Sequence, residues 1–272
     1  MGKRSGVSAV NVVFGWLRQQ SKKVKIALGV LLSLILVVFL RFTVKNHSHF
    51  FIASELIHAA GIIILIYKLT RQKTCSGLSL KSQEVTAVFL AVRLICSINM
   101  EGDIHTVLDF ATLVSTLWVI YMIRFKLKAS YIKTLDNCHH YYVLVPSAFL
   151  AFIINPSTRY SYINRVMWAF CVYSESVSVL PQLRLMQNAQ FIEPFTAHYV
   201  FALGIARFLA CAHWLIQVFE TRGRYLWLIG DGYFWLPVSL LAEGVQTFIL
   251  ADFCYYYVKS AMEGQLVLKM PV

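Results

Sequence analysis

Long apolar runs separated by short polar stretches dominate the pattern of this chain. An α-helix needs about 20 predominantly apolar residues, with a lower limit of about 17, to cross a bilayer. By this criterion the pattern predicts membrane spans at residues 26–44, 50–68, 84–99, 105–124, 141–155, 165–184, 197–219 and 233–258. We therefore expect an all-α polytopic membrane protein whose first span, 26–44, is an uncleaved anchor preceded by a cytosolic N-terminus.

Ionisable residues that lie inside these apolar runs rather than between them include Arg93, Glu175, Arg207 and Asp252. A charged side chain in a membrane span costs about 3 kcal/mol or more, so such residues usually face a bundle interior or a wet cavity. Two arginines and two carboxylates at this depth predict a polar pocket for a charged ligand. An internal ion pair that joins helices is the alternative reading.

The composition supports a membrane protein and argues against nucleic acid as the partner of its basic residues. The chain is 58% hydrophobic and 14% charged, whereas soluble domains are about 45–50% apolar and about 25% charged. With a cytosolic N-terminus, 17 Lys and Arg residues fall on the cytosolic side and six on the other. This asymmetry follows the positive-inside rule and explains the net charge of +12.

The same topology divides the chain into three parts. Residues 1–48 form a basic cytosolic tail and the anchor helix, residues 49–260 form the main membrane domain, and residues 261–272 form a short cytosolic tail. No hydrolase motif, zinc-protease motif or phosphate-binding glycine loop occurs, so the sequence predicts no enzyme. The six cysteines show no metal spacing, so we expect neither a metal nor a cofactor.

Two polar motifs stand out against the apolar background. The first, Cys75–Gln83, is a loop of small and polar residues that leads into the span carrying Arg93. The second, Glu175–Leu183, places a carboxylate, two hydroxyls and a Pro-Gln pair in one predicted span. Because proline kinks a helix and frees a backbone carbonyl, this helix suits the wall of a cavity.

Together the motifs resemble those of the endoplasmic-reticulum lumen protein-retaining receptors, which retrieve proteins ending in Lys-Asp-Glu-Leu or His-Asp-Glu-Leu. That family carries a Gly-Ile-Ser-x-Lys-Ser-Gln loop followed by an arginine, and a Leu-Glu-Ser-Val-Ala-Ile-Leu-Pro-Gln-Leu helix. The resemblance covers roughly residues 49–272. Further similar positions are Glu55–His58, Thr196–Tyr199, Gly204, Arg207, Trp214, Gly244–Thr247, Asp252 and Phe253.

The resemblance implies a fold of seven spans built from two three-helix bundles, related to the SWEET and PQ-loop transporters. Parallel repeats of this kind place a binding site at the repeat interface. By position, the resemblance implies that one histidine, His58, senses pH and that five residues bind ligand. These five are Arg93, Arg207, Glu175, Trp214 and Asp252.

The mechanism that the resemblance implies is capture of a C-terminal peptide in the acidic Golgi and its release in the neutral reticulum. Arginines bind carboxylates through bidentate, charge-assisted hydrogen bonds, and a histidine titrating near pH 6 supplies the pH dependence. The implied partners are signal peptides of lumenal proteins, membrane lipid and, through the cytosolic tail, vesicle coat proteins. The implied location is the membranes of the endoplasmic reticulum and Golgi.

Several positions depart from the family pattern and indicate a divergent, receptor-like member. Losing one buried charged hydrogen bond costs about 2–5 kcal/mol, so two or three losses would weaken recognition of the usual tetrapeptide. Phe51 and Gln217 stand where the family has arginines, Ala206 replaces a tyrosine, Cys96 replaces an aspartate, and Arg165 reverses an acidic position.

Other interpretations stay open at this point. A small-solute transporter of the SWEET/PQ-loop type is one alternative function, and an orphan scaffold that no longer binds the tetrapeptide is another. His58 also fits a neutral histidine bonded across helices, and Trp214 fits plain packing. Glu243 and Asp109 lie in apolar contexts and require partners that the sequence does not name.

Overall fold

The computed structural model describes residues 48–100, 104–189, 192–220, 232 and 234–262. Apart from Ser48 and His49, these residues belong to a unit that spans Phe50–Val272. The predicted anchor at 26–44 and the tail beyond residue 262 lie outside the described residues. Those described form eight α-helices and no strand: α1 Ser48–Tyr67, α2 Leu80–Met100, α3 Ile104–Tyr121, α4 Tyr141–Ile153, α5 Tyr162–Val177, α6 Leu180–Asn188, α7 Pro194–Glu220 and α8 Trp235–Met262.

Among the described residues, five helical stretches are long and apolar enough to cross a membrane. They are Ile52–Gln72, Leu80–Met100, Thr106–Lys126, Pro194–Glu220 and Trp235–Ser260. The first and third include π-helical turns that extend α1 and α3. The prediction of an all-α protein with several membrane helices is therefore confirmed, whereas the seven-span bundle of two repeats stays a prediction.

Two predicted spans differ from the observed helices. The span predicted at 141–155 is a helix of 13 residues, α4, which is shorter than the about 17 residues that crossing requires. The span predicted at 165–184 is not one helix, because α5 ends at Val177 and α6 begins at Leu180.

Proline contributes to the break between α5 and α6. Pro181 has no N–H to donate to the carbonyl of Val177, four residues earlier, and its ring would collide with that carbonyl in a continuous helix. The chain instead turns at Ser178, whose backbone N–H and hydroxyl both donate to the carbonyl of Glu175, at 3.2 and 2.9 Å. Proline is tolerated in the first turn of α6, where no intrahelical N–H bond is required.

The helices pack pairwise around an apolar core. Helix α2 packs against α3 and α5, α7 packs against α8, and α4 packs against α5. One buried cluster joins residues from five helices and includes Leu65, Val119, Met186, Val200 and Phe253. Many other large apolar side chains on the helices are more than half exposed, as suits surfaces that face lipid rather than water.

Gln182 joins the two sequence motifs to each other. Its side-chain amide N–H donates to the carbonyl of Gly77 at 2.8 Å, and its oxygen accepts the N–H of Ser79 at 2.9 Å. The Ser82 hydroxyl adds a bond to the carbonyl of Ser178 at 2.8 Å. The start of α2 is thereby fixed against the α5–α6 break, which aligns the helices that carry Arg93 and Glu175.

Lys68 is buried directly after the end of α1. Its side chain is 0% exposed and forms an ion pair with Glu193 at 2.6 Å. The ammonium also donates to the Ser76 carbonyl and the Thr196 hydroxyl. These bonds tie the end of α1 to the first motif and to the start of α7, so Lys68 holds the fold together.

Asp136 holds the segment between α3 and α4 against the first motif. Its carboxylate accepts the hydroxyls of Ser79 and Tyr131, both at 2.8 Å, and the backbone N–H of Lys81 at 3.2 Å. Burial raises the pKa of the Tyr131 hydroxyl, and the hydrogen bond to Asp136 raises it further. These bonds occupy both oxygens of the Asp136 carboxylate.

Candidate ligand-binding site

A cavity of about 660 Å³ lies between α1, α2, α3, α5, α7 and α8. Its wall is mixed, with apolar side chains, hydroxyl groups and a set of charged residues. The charged and titratable members are Glu55, His58, Arg93, Asp109, Tyr160, Glu175, Tyr199 and Arg207. A cavity of this size with a few converging polar groups is typical of a ligand site.

Arg93 on α2 is paired at all three of its guanidinium nitrogens. Its Nε and one terminal nitrogen donate to the two oxygens of Asp109 on α3, at 3.0 and 2.6 Å, which is a bidentate pair. The other terminal nitrogen donates to Glu175 on α5 at 2.7 Å. The Arg93 side chain is 22% exposed, so these bonds form in a partly enclosed site where charge pairing is strong.

Arg207 on α7 shares Glu175 with Arg93. One terminal nitrogen donates to Glu175 at 3.4 Å and the other to Glu243 on α8 at 2.7 Å. The Nε of Arg207 is buried and has no hydrogen-bond partner among the described residues. Glu175 therefore bridges the two arginines, and Arg207 retains one donor that a ligand could use.

His58 on α1 lies at the same cavity. The charged groups that act on its ring electrostatically are Glu55 on its own helix, Glu175 on α5 and Arg93 on α2. A positive charge gained by His58 would therefore interact with Glu175 and Arg93, which belong to the arginine–carboxylate cluster. This placement brings together four of the six predicted site residues: His58, Arg93, Glu175 and Arg207.

The other two predicted site residues lie elsewhere. Trp214 on α7 is not among the residues that line the cavity. Asp252 on α8 lines a second cavity of about 610 Å³, together with Arg184, Asn137 and Phe248. Asp252 therefore lines a different cavity from the arginines with which the sequence had grouped it.

The positions that depart from the family pattern have different surroundings. Ala206 is buried at the cavity wall, and its carbonyl accepts the hydroxyl of Ser54 at 2.8 Å. Cys96 is fully buried in α2, and the guanidinium of Arg165 lies 5.6 Å from the ring of Tyr162. The side chains of Phe51 and Gln217 are not among those described.

Asp109 and Glu243 are the site residues that sequence reasoning did not assign. Both had been noted as carboxylates in apolar context that need partners, and the structure supplies the partners as Arg93 and Arg207. The signal that could have found them is their depth, since an acidic residue in a membrane span is most stable beside a cation. Which cation each carboxylate meets could not be read from the sequence.

Within the part of the chain that the structure describes, no group of three or more His, Cys, Asp or Glu side chains could hold a metal ion. The chemistry of the cavity is instead that of guanidinium and carboxylate groups. Such a site can exchange one carboxylate partner for another, because arginine binds any carboxylate in the same planar, two-point geometry.

Several known proteins are similar to this chain in sequence. The sequence model of the family described as ER lumen protein retaining receptor matches residues 74–217. The ER lumen protein-retaining receptor 3 of Mus musculus is 33% identical over 226 residues, which are 82% of this chain and 99% of that protein. A receptor of Caenorhabditis briggsae with the same family name is 31% identical over 222 residues, 81% of this chain and 98% of that protein.

Proposed function

The chain belongs to the ER lumen protein-retaining receptor family, and from this premise we propose that it binds C-terminal retrieval signals of lumenal proteins in the Golgi and returns them to the endoplasmic reticulum. The observation that carries the proposal is that Arg93 and Arg207 line one cavity. The names of the relatives agree with a receptor and give no support to an enzyme. No observation on the described residues favours the solute-transporter alternative.

The two arginines of the cavity can bind an acidic peptide end. A peptide ending in Lys-Asp-Glu-Leu or His-Asp-Glu-Leu carries a terminal carboxylate and two acidic side chains, and guanidinium groups bind carboxylates through charge-assisted hydrogen bonds. The free Nε of Arg207 offers a first donor. The apolar wall, with Leu90, Leu203 and Leu250, offers a surface for the terminal leucine.

His58 supplies the pH dependence in this proposal. Histidine is the side chain that most often changes charge in the physiological pH range, so protonation of His58 in the acidic Golgi is the proposed switch. Protonation adds one positive charge beside Glu55, Glu175 and Arg93, which favours binding of an anionic ligand. The expected direction is therefore tighter binding at lower pH and release as the pH rises.

The receptor function also implies partners and a location, and both belong to the proposal. The partners are the signal peptides of lumenal proteins, membrane lipid around the spans, and vesicle coat proteins that meet the cytosolic tail at 261–272. The location is the membranes of the Golgi and endoplasmic reticulum. Trp214 and Asp252 remain proposed ligand residues by family position, and binding measurements on their alanine variants test these roles.

The experiment measures binding of the purified full chain to peptides that end in Lys-Asp-Glu-Leu and His-Asp-Glu-Leu, at about pH 5.5 and about pH 7.4. The key variant is Arg93→Ala. Its matched control is Arg124→Ala, because Arg124 is also an ion-paired arginine, bonded to Glu84, yet does not line the cavity.

A retrieval receptor binds these peptides more tightly at the lower pH, keeps that binding in Arg124→Ala and loses it in Arg93→Ala. Absence of binding by the unmodified chain at both pH values would overturn the proposal and would favour the orphan-scaffold alternative. Binding that survives Arg93→Ala would show that the peptide contacts the protein at another place.

A further inference from the structure

The arginines of the cavity are already engaged by the protein's own carboxylates. Arg93 donates from three nitrogens to Asp109 and Glu175, and Arg207 donates to Glu175 and Glu243. These five residues form what we call the ion-pair cluster. Both guanidinium groups therefore have carboxylate partners before any acidic ligand binds.

The charge of the cluster points the same way. Its two guanidinium groups face three carboxylates, so the cluster carries one net negative charge when every member is ionised. Glu55 adds a further carboxylate to the cavity wall. An acidic ligand therefore meets a site whose positive charges are already compensated, and repulsion in a partly buried site is weakly screened.

The geometry of Asp109 is that of a bound carboxylate ligand. Its two oxygens meet Nε and a terminal nitrogen of Arg93 at 3.0 and 2.6 Å, which is the fork-to-fork arrangement that a peptide's terminal carboxylate would adopt on the same guanidinium. Glu243 accepts one hydrogen bond from a terminal nitrogen of Arg207 at 2.7 Å. Both residues therefore accept from guanidinium N–H groups that would otherwise be free to donate to a ligand.

We propose that Asp109 and Glu243 are internal competitors for the ligand, which hold Arg93 and Arg207 and so set the affinity and selectivity of the cavity for acidic peptide ends. This inference deepens the proposed function and rests on it. The free Nε of Arg207 can donate a single hydrogen bond, but a ligand carboxylate forms the two-point contact with either arginine only by displacing one of these side chains. Glu175 differs in role, because it bridges both arginines and keeps them together whether or not ligand is present.

The test releases each arginine separately in the full-length protein. Asp109→Asn and Glu243→Gln keep the size and a hydrogen-bonding oxygen of the side chain but remove its charge. The residues lie on different helices, α3 and α8, so one variant decides the question even where the other fails to fold. Glu84→Gln is the matched control, since Glu84 pairs with Arg124 outside the cavity.

The probe is a peptide ending in Lys-Asp-Glu-Leu with a free carboxyl terminus, measured beside the same peptide with a C-terminal amide. We expect Asp109→Asn or Glu243→Gln to lower the Kd for the free-acid peptide by about 10- to 100-fold, the range that one hydrogen bond to a charged group represents. Glu84→Gln leaves the Kd unchanged, and the amide peptide gains less than the free acid.

The outcomes separate this inference from the proposed function. Folded variants that bind the free-acid peptide no more tightly than the unmodified chain overturn the inference, while binding by the unmodified chain still supports the receptor. Binding by the variants alone supports the inference and shows that the unmodified chain is not a receptor for this peptide. No binding by any of these proteins overturns both.

Discussion

Replacing Glu175 with glutamine tests the centre of the ion-pair cluster. Glu175 accepts from Arg93 at 2.7 Å and from Arg207 at 3.4 Å, and its side chain is 24% exposed. Glutamine keeps the shape and one accepting oxygen but removes the negative charge between two positive ones. Arg93 then retains Asp109, and Arg207 retains Glu243, so each arginine loses one of two charge partners.

The magnitude follows from two opposing effects. Unit charges about 4 Å apart attract by about 4 kcal/mol at an effective dielectric constant of about 20. Burying each ion costs several kcal/mol, so that breaking a buried pair costs about 3–5 kcal/mol in measured cases. Because each arginine keeps a second carboxylate, we expect Glu175→Gln to lower the free energy of unfolding by about 2–3 kcal/mol.

Thermal unfolding of the detergent-purified protein measures this loss. At about 2–4 °C per kcal/mol, Glu175→Gln should lower the Tm by about 4–12 °C. The matched control is Glu84→Gln, whose partner Arg124 is 53% exposed; a pair of that exposure contributes about 1 kcal/mol or less. If Glu175→Gln lowers the Tm no more than Glu84→Gln does, the cluster does not stabilise the fold.

Three further predictions concern other parts of the molecule. His58→Gln should flatten the pH dependence of peptide binding between about pH 5.5 and 7.4, whereas His198→Gln, which alters a ring bonded to Tyr257, should retain it. Gln182→Leu should lower the unfolding free energy by about 2 kcal/mol, measured as a fall in Tm, because it leaves the buried N–H of Ser79 and the partly buried carbonyl of Gly77 without their shared partner. Maleimide should label Cys138, which is partly exposed, before Cys75, which is fully buried, as mass spectrometry of timed samples would show.

The sequence was informative about which residues form the site but not about how they pair. Arg93, Glu175 and Arg207 were predicted to share a pocket or an internal ion pair, and the structure places them in both arrangements at once. Asp252 was a plausible fourth member by depth alone, yet it lies at the second cavity. Depth in the membrane is encoded along the chain, whereas the rotation of each helix about its axis is not.

The break between α5 and α6 illustrates the same limit at the level of secondary structure. The Pro181 signal was read as a kink within one span, and the chain instead stops one helix and starts another. A proline removes the hydrogen bond to residue 177 in either case. The bonds from Ser82 to Ser178 and from Gln182 to Gly77 stabilise the two-helix form. Contacts between segments distant in the sequence therefore favour a break over a kink.

The sequence by itself determined the family, the all-α membrane class and the position of most membrane helices. Those properties follow from local apolar runs, because a backbone in lipid must satisfy its hydrogen bonds within each helix. Only the tertiary structure determined that Asp109 and Glu243 pair with the two arginines and that the buried Lys68 pairs with Glu193. These pairings join helices distant in the sequence, so their partners depend on how the helices pack, which no local pattern specifies.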